Sequence, residues 1–438
     1  MKPNIVFILA DAVRARNIGC YGFDDITPNI DSLAGEGVMF EDAYSCINAT
    51  DPSLTTIFSG KYPRGHGMLD HGILVTEKSL QRLAESGTAL LPELLKGMGY
   101  RTLAVDWLGR WHRRGYDHYE GIREMSSEGM DVIERADTVS DRAIHLMEEN
   151  KKHPFFLFLH YWDTHMPYDP PRENIPEIPS EELAIEALDS IRSKHYREKM
   201  KRIVSDAGGF KNMVSRYYGT INFVDQEMGR LIERMKDIGL YDDSIIVFTS
   251  DHGESLTEHG IFFDHHGLYD VSIHVPLILK YPGSPKGREV PGFVQHFDLM
   301  PTILDLLERP QNGMLDFNGK TMLPLINDLD PLHSAVHAEE HQTQHKVAVR
   351  TKDFKYIRAL SPKGNRCRYC EVEHSETEEL YDLKKDPGET ENITGEREDV
   401  KEELAGIQRE YLKSFEKATA NSDKWDIQKI LGKLKTSI

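Results

Sequence analysis

The chain has few cysteines, no long apolar run and no excess of positive charge, and each shortage excludes a class of protein. Four cysteines among 438 residues are too few for a disulfide framework, which favours a reducing, cytoplasmic location. No apolar stretch approaches the roughly 18 residues that indicate a membrane-spanning helix. The formal net charge is −19, so neither nucleic acid nor an anionic membrane is an expected partner.

What is present is an ordinary globular composition with alternating strand and helix patterns. Apolar runs at 5–10, 101–105, 155–160 and 244–249 are typical of buried parallel strands. The first run is too short for a membrane span and lacks the basic flank of a signal peptide, so it is expected to be a core strand. Helical patterns cover 137–150 and 180–239, the second broken at Gly208-Gly209. The alternation predicts an α/β fold with a mixed, mostly parallel sheet between two layers of helices.

The pattern changes after about residue 335. Short strand patterns at 346–350 and 355–358 predict a hairpin, and 379–383 adds a possible third strand. A charged helical pattern follows at about 396–417. We therefore predict two domains, an α/β domain over 1–334 and a small antiparallel α+β domain over 335–438.

Polar residues follow two of the predicted strands directly. Asp11 ends the first strand, and Asp251 and His252 follow the strand at 244–249. Ligand sites collect at the carboxyl ends of strands in parallel sheets. An Asp after a strand is also a common helix cap, so neither position alone identifies a site. Together they suggest residues that share one cation.

Several segments, taken in chain order, resemble the sulfatases of the alkaline phosphatase superfamily. Two examples are Gly109-Arg110-Trp111-His112 and Ser250-Asp251-His252-Gly253-Glu254. The matching segments are 3–11, 27–34, 37–40, 60–63, 109–112, 163–168, 250–254 and 379–383. The resemblance implies a sulfatase-like fold and a metal-dependent hydrolase that cleaves phosphate or sulfate esters, with catalysis in the domain over 1–334.

The family's nucleophile motif, C-x-P-S-R-x-x-x-L-T-G, matches residues 50–60 with two departures. Thr50 stands where a Cys or Ser is oxidised to formylglycine, and Leu54 replaces the Arg. Formylglycine is therefore not expected. Threonine is the nucleophile in phosphodiesterase and phosphotransferase branches of the superfamily, which implies that Thr50 attacks phosphorus. The alternative is that Thr50 is only a helix N-cap.

The resemblance also implies a ligand set for one divalent metal. It consists of Asp11, Thr50, Asp251 and His252. Ala12 stands where the family usually has a second Asp, so the set has one carboxylate fewer and includes an imidazole nitrogen. This composition favours Mn²⁺ or Zn²⁺ and leaves Ca²⁺ possible.

Four further residues match the family's anion pocket. The resemblance places Arg110, His112 and His165 against the transferred group or the leaving oxygen. His265 stands at a family Lys position, where a histidine could protonate the leaving group. The roles of His259 and His266, and the presence of a second metal, stay open.

Cys367 and Cys370 have CxxC spacing, with His374 nearby. A zinc knuckle would need a fourth ligand, and the sequence shows none. The expectation is a solvent-exposed loop that carries two thiols.

These observations predict hydrolysis of a small anionic ester, a phosphodiester or phosphonate ester, through Thr50. One alternative is a sulfuric ester hydrolase that works without formylglycine. A second alternative is a non-catalytic sulfatase-like protein that binds anions. The sequence leaves the natural substrate and the oligomeric state open.

Overall fold

The computed structural model describes residues 2–23, 25–121, 134–177, 183–308, 316–328 and 331–418. The strands are β1 Asn4–Ala10, β2 Val38–Tyr44, β3 Arg101–Val105, β4 His118–Glu120, β5 Phe155–Tyr161, β6 Ser244–Thr249, β7 Leu277–Lys280, β8 Arg288–Gln295, β9 Val336–Glu340, β10 Lys346–Arg350, β11 Phe354–Ala359 and β12 Glu378–Asp382. The helices are α1 Pro28–Glu36, α2 Thr50–Ser59, α3 Pro63–His66, α4 Glu77–Glu85, α5 Leu91–Gly97, α6 Ala136–Asn150, α7 Lys194–Ala207, α8 Phe210–Asp237, α9 Asp270–Ile273, α10 Leu299–Leu306, α11 Leu323–Ile326 and α12 Glu398–Ala418.

Eight strands form the main sheet, in the order β4-β3-β5-β1-β6-β7-β2-β8. Within this sheet only β7 runs against the others, since it pairs antiparallel with both β6 and β2. Strand β7 therefore interrupts the parallel order. The mixed, mostly parallel sheet predicted from the sequence is confirmed.

Both faces of the sheet are buried, as the continuous apolar runs indicate. Alternate residues of β1 divide between two cores: Val6 and Ile8 pack on one face, and Ile5 and Phe7 on the other. Helices α6 and α8 contribute to the first core, and α2, α5 and α10 to the second. The central strands β1, β5 and β6 are thereby fixed, and so are the positions of their carboxyl ends.

The predicted helical stretch at 180–239 is shorter than expected. Its first residues lie outside the described part of the chain, and regular α-helix begins at Lys194. The break predicted at Gly208-Gly209 is confirmed: both residues have positive φ, 86° and 114°, which glycine adopts without steric cost.

A second sheet, in the order β12-β11-β10-β9, is antiparallel throughout. Helix α12 packs on it through Val400 and Leu404. The other side shares a buried cluster with the main domain, in which Ile357 and Tyr381 meet Tyr44 and Leu268. The division at 334/335 stays a prediction, because the two sheets are joined by this common core.

Across the described residues, every helix is too short or too polar to cross a bilayer.

Candidate metal and ester-binding site

The carboxyl ends of β1 and β6 bring the predicted metal ligands together. The two strands pair in parallel with Leu9 opposite Thr249, so Asp11 and Asp251 leave the sheet side by side. The amide of Ala12 donates to Asp251 Oδ1 at 3.1 Å. Donor atoms of Asp11, Asp251 and His252 all lie within 4.8 Å of one another, and all three residues are buried.

Several of these donor atoms lack protein partners. Both carboxylate oxygens of Asp11 and Oδ2 of Asp251 are buried without a hydrogen bond from the described residues. Two buried carboxylates side by side are costly unless cations compensate for their charges. Burial, followed by the charge of Asp11, raises the pKa of Asp251 to about 6. The donor set and the unpartnered oxygens fit a divalent metal.

His252 has the tautomer that a ligand needs. Its Nδ1 donates to the carbonyl of Gly253 at 2.9 Å, which leaves the lone pair on Nε2. That nitrogen lies 3.2 Å from Asp251 Oδ2 and 3.9 Å from Asp11 Oδ1. Burial lowers the pKa of His252 to about 4, so the imidazole is neutral at neutral pH and can bind a metal.

Thr50 is the first residue of α2 and lies at the edge of this cluster. The N-cap residue is Ala49, and α2 has no side-chain cap hydrogen bond, so the structure does not support the N-cap alternative. The Oγ1 atom of Thr50 lies 3.4 Å from Nε2 of His252. The amino end of α2 adds a site that favours anions.

Asp51 is a site residue to which the sequence analysis assigned no role. Arg110 Nη2 donates to both oxygens of this buried carboxylate at 2.6 Å, and His112 Nε2 lies 3.0 Å from Oδ1. His71 Nδ1 approaches to 3.1 Å, and the amide of Gly72 donates at 2.8 Å. Burial alone would raise the pKa of Asp51, but the charge of His71 and the hydrogen bond from His112 hold it well below its usual value.

This arrangement changes the environment predicted for Arg110 and His112. Their polar atoms face the carboxylate of Asp51, the residue that follows Thr50. The signal in the sequence was an acidic residue directly after the nucleophile position. Their predicted contacts with an ester stay predictions.

His165 and His265 lie on the wall of the site next to His252. The ring of His265 stacks on His252 with centroids 4.1 Å apart, and the ring of His165 lies 6.2 Å from His265. The Nδ1 atom of His265 donates to Asn48 O at 2.5 Å. The Nδ1 atom of His165 donates to Met166 O at 2.7 Å. Burial, followed by the charge of His252, lowers the pKa of His265 to about 3, so its ring is neutral before an ester binds.

His160 is a second residue that the sequence analysis missed. It lies near the carboxyl end of β5, opposite Leu9 of β1, and its Nε2 is 3.4 Å from Asp11 Oδ2. Its Nδ1 is 3.0 Å from Asp106 Oδ1. Although burial opposes it, the hydrogen bond to Asp106 and the nearby charge of Asp11 raise the pKa of His160 to about 9. A single histidine within the apolar run 155–161 was the available signal.

The remaining histidines of interest lie elsewhere. His259 stacks on Tyr269, with ring centroids 3.5 Å apart. His266 faces Cys367, 3.6 Å from its sulfur.

The CxxC segment is not the solvent loop expected from the sequence, because Cys367 and Cys370 are both buried. The loop folds over His266, which covers the thiols.

Comparison with known proteins identifies the family. A family model described as Sulfatase matches residues 3–308, and one described as N-sulphoglucosamine sulphohydrolase, C-terminal, matches 257–417. An N-acetylglucosamine-6-O-sulfatase of Bacteroides thetaiotaomicron is 25% identical over 94% of this chain and 87% of that protein. An arylsulfatase of Clostridium perfringens is 24% identical over 95% of each.

Solved structures show the same fold. The phosphonate monoester hydrolase of Agrobacterium radiobacter has a TM-score of 0.73 at 20% identity, over 94% of this chain and 96% of that one. The predicted sulfatase-like fold is thus confirmed. Because the first family model covers more than half of the residues, the chain belongs to the sulfatase family of metal-dependent, ester-cleaving hydrolases.

Proposed function

We propose that this protein hydrolyses a singly charged phosphodiester or phosphonate ester, with Thr50 as the nucleophile. The observation that carries the proposal is the position of the Thr50 hydroxyl. It stands at the buried amino end of α2, 3.4 Å from His252 Nε2.

Asp11, Asp251, His252 and Thr50 are the proposed ligands of one divalent cation. Bound there, the metal would lower the pKa of the threonine hydroxyl and neutralise charge on the ester. The imidazole among the ligands favours Mn²⁺ or Zn²⁺ over Ca²⁺, which prefers about six to eight oxygens.

The residues around Thr50 define the proposed reaction. The Oγ1 atom of Thr50 forms a bond to phosphorus as the bond to the leaving oxygen breaks, and water then cleaves the threonyl ester. The amino end of α2 stabilises the anionic group. His165 is the proposed donor of a proton to the leaving oxygen, because the ring of His265 beside it is neutral and donates its Nδ1 hydrogen to Asn48 O.

The charge balance of the pocket supports a singly charged substrate. Arg110 places its guanidinium against both oxygens of Asp51, so its positive charge is already compensated. The neutralised Arg110 does not offset a second negative charge on the substrate, and such a charge is costly in a buried pocket without a cation. Phosphodiesters and phosphonate monoesters carry one negative charge and avoid that cost.

Sulfuric ester hydrolysis without formylglycine is the second candidate. The curated relatives named above are sulfatases, and a sulfate ester also carries a single negative charge. The same pocket would accept it, so the reacting group has to be found by assay.

The test compares p-nitrophenyl phosphodiester, phosphomonoester and sulfate substrates with added Mn²⁺ or Zn²⁺. We expect the diester to turn over fastest. The Thr50→Ala variant should lose at least about 10³-fold in rate, because loss of an activated nucleophile has effects of this size. Thr50→Ser, which keeps a hydroxyl, is the matched control and should retain activity.

Equal rates for wild type and Thr50→Ala on every ester would show that Thr50 is not the nucleophile. Faster turnover of the sulfate would favour the sulfuric ester hydrolase. Anion binding without turnover of any ester would favour the non-catalytic alternative.

A further inference from the structure

Four metal-binding side chains from distant parts of the sequence meet outside the Thr50 site. They are His266, from the segment after β6, and Cys367, Cys370 and His374, from the segment between β11 and β12. All four are buried, and His374, the most accessible, is 7% exposed. The ligand that the CxxC segment lacks in the sequence is therefore supplied by a residue 101 positions away.

Three of the four donor atoms lie close together. Those of His266, Cys367 and His374 are all within 4.8 Å of one another. The sulfur of Cys370 lies beside this group, 2.8 Å from Nε2 of His374. Two sulfurs and two imidazole nitrogens form a set typical of structural zinc sites.

The spacing between donors suits a tetrahedral ion. Zinc–sulfur and zinc–nitrogen bonds of about 2.3 and 2.05 Å at the tetrahedral angle separate sulfur from nitrogen by about 3.6 Å. Nδ1 of His266 and Sγ of Cys367 are 3.6 Å apart. The contact between Cys370 and His374, at 2.8 Å, would have to lengthen by about 0.8 Å when an ion enters.

The backbone of the CxxC segment supports the two sulfurs. The amides of Tyr369 and Cys370 point at Sγ of Cys367, at 3.4 and 3.5 Å. Glu371 then turns the chain with a φ of 60°. Amide groups directed at a sulfur stabilise it as a thiolate, which is the form that binds metal.

The far side of the His266 ring is also supported. Its Nε2 lies 3.0 Å from Asp264 Oδ2, and the Tyr196 hydroxyl donates to the same oxygen at 2.9 Å. A carboxylate on the second nitrogen fixes the tautomer and orientation of a metal-binding histidine. This contact directs Nδ1 toward the cysteines.

We propose that His266, Cys367, Cys370 and His374 form a structural Zn²⁺ site. Four protein ligands leave no open position, so the ion has a structural role and not a catalytic one. On binding, the two thiols lose their protons to solvent and bind as thiolates.

The site would connect the C-terminal sheet to the Thr50 site. His266 follows His265, whose backbone amide donates a hydrogen bond to Asp264 Oδ1 at 2.8 Å. The amides of Arg192 and Ser193, which precede α7, both donate to the carbonyl of Cys370 at 3.0 Å. Zinc would thus fix three segments against one another next to the wall that carries His265.

The test measures metal in the full chain purified without chelator. We expect one equivalent of zinc that is released when a mercurial reagent modifies the thiols, detected with a zinc-binding dye. After replacement by Co²⁺, wild type should show the near-ultraviolet sulfur-to-cobalt charge-transfer band of a thiolate site. These measurements need no variant to fold.

Variants assign the band to its residues. Cys370→Ser should remove the charge-transfer band. Cys20→Ser and Asp251→Ala should keep the band, and Asp251→Ala should do so because the substitution alters only the Thr50 site. The zinc site would survive if the proposed function failed, since its readout is independent of turnover. A disulfide between Cys367 and Cys370, no thiolate–cobalt band in folded wild type, or an unchanged band in Cys370→Ser would each overturn the proposal.

Discussion

Thr50 and Asp51 are neighbours in the chain, yet their side chains face different partners. The Thr50 hydroxyl faces His252, while the Asp51 carboxylate is enclosed by Arg110, His112 and His71. In the proposed function, Thr50 reacts with the ester and Asp51 sets the charge of the pocket around it. The proposed preference for a singly charged ester follows from this division.

Asp51→Asn tests that division. Removing the negative charge leaves Arg110 uncompensated, so a dianionic phosphomonoester should bind better. We expect the ratio of kcat/KM for monoester to kcat/KM for diester to rise by about tenfold, or about 1.4 kcal/mol. Asp237→Asn, at an exposed position on α8, is the control and should leave the ratio unchanged. An unchanged ratio in Asp51→Asn would exclude Asp51 as the residue that sets substrate charge.

Asp251→Ala tests the proposed ligand set. Loss of one carboxylate should reduce the metal bound at the Thr50 site and lower turnover by about 10²-fold or more. Substitution of a residue that only supports a metal ligand already costs up to about 10²-fold in metal affinity or activity. Metal analysis of the purified protein measures the first effect. Asp242→Ala, exposed just before β6, should change neither quantity. Full metal occupancy in Asp251→Ala would contradict the assignment.

At the scale of elements, an ion pair joins the segments that follow β1 and β6. Glu258 Oε1 lies 2.7 Å from Nη1 of the buried Arg14 and 2.7 Å from Nη2 of the more exposed Arg16. Burial opposes ionisation, but the charges of Arg14 and Arg16 lower the pKa of Glu258 from 4.5 to about 2. The two segments carrying Asp11 and Asp251 are thereby tied together.

This ion pair should contribute to stability in a defined pH range. A carboxyl whose pKa is lower in the folded state stabilises the fold above pH 4.5, and the contribution disappears as pH falls toward 2. The shift corresponds to about 3 kcal/mol. Glu258→Gln should therefore be less stable than wild type by about that amount at pH 7, and the gap should close between pH 4.5 and 2.

Urea denaturation across this pH range measures the difference. Arg16→Gln is the control, because Arg16 is half-exposed and such pairs contribute about 0–1 kcal/mol. A gap that does not depend on pH would show that packing, and not the charge of Glu258, is responsible.

At the scale of the whole molecule, a buried charge cluster joins the two sheets. Lys355 of β11 contacts Asp270 at 2.6 Å and Glu389 at 2.5 Å, and Arg350 of β10 adds a contact to Asp270 at 3.2 Å. Asp270 begins α9 in the main domain, so the cluster fixes the C-terminal sheet in place beside the shared core.

Lys355→Met should destabilise the molecule by about 3–5 kcal/mol, because it leaves two carboxylates buried without their main partner. Chemical denaturation measures the loss, and limited proteolysis should show earlier cleavage within the C-terminal sheet. Lys384→Met, which removes an exposed pair with Asp353, should cost less than about 1 kcal/mol. Similar stability for the two variants would show that the cluster does not hold the sheets together.

Local patterns in the sequence were sufficient to predict the central strands and the mixed, mostly parallel class of the sheet. Continuous apolar runs predict the buried strands. Two adjacent glycines, which adopt positive φ without steric cost, predict the break at Gly208-Gly209. Asp11, Asp251 and His252 were predictable because they directly follow strands, whose ends meet at one edge of a parallel sheet.

Contacts between distant segments were decided only by the tertiary structure. Examples are the reversed direction of β7, the enclosure of Asp51 by Arg110 and His112, and the contact of His160 with Asp11. Asp51 and His160 stand out in the sequence as single polar residues, but their partners do not. The same holds for the metal-binding group of His266 with the CxxC segment. Secondary structure depends on hydrophobic periodicity within a segment, whereas a buried polar group needs partners that packing brings from elsewhere in the chain. For this protein the sequence by itself determined the scaffold and the Thr50 position, and the tertiary structure decided what surrounds them.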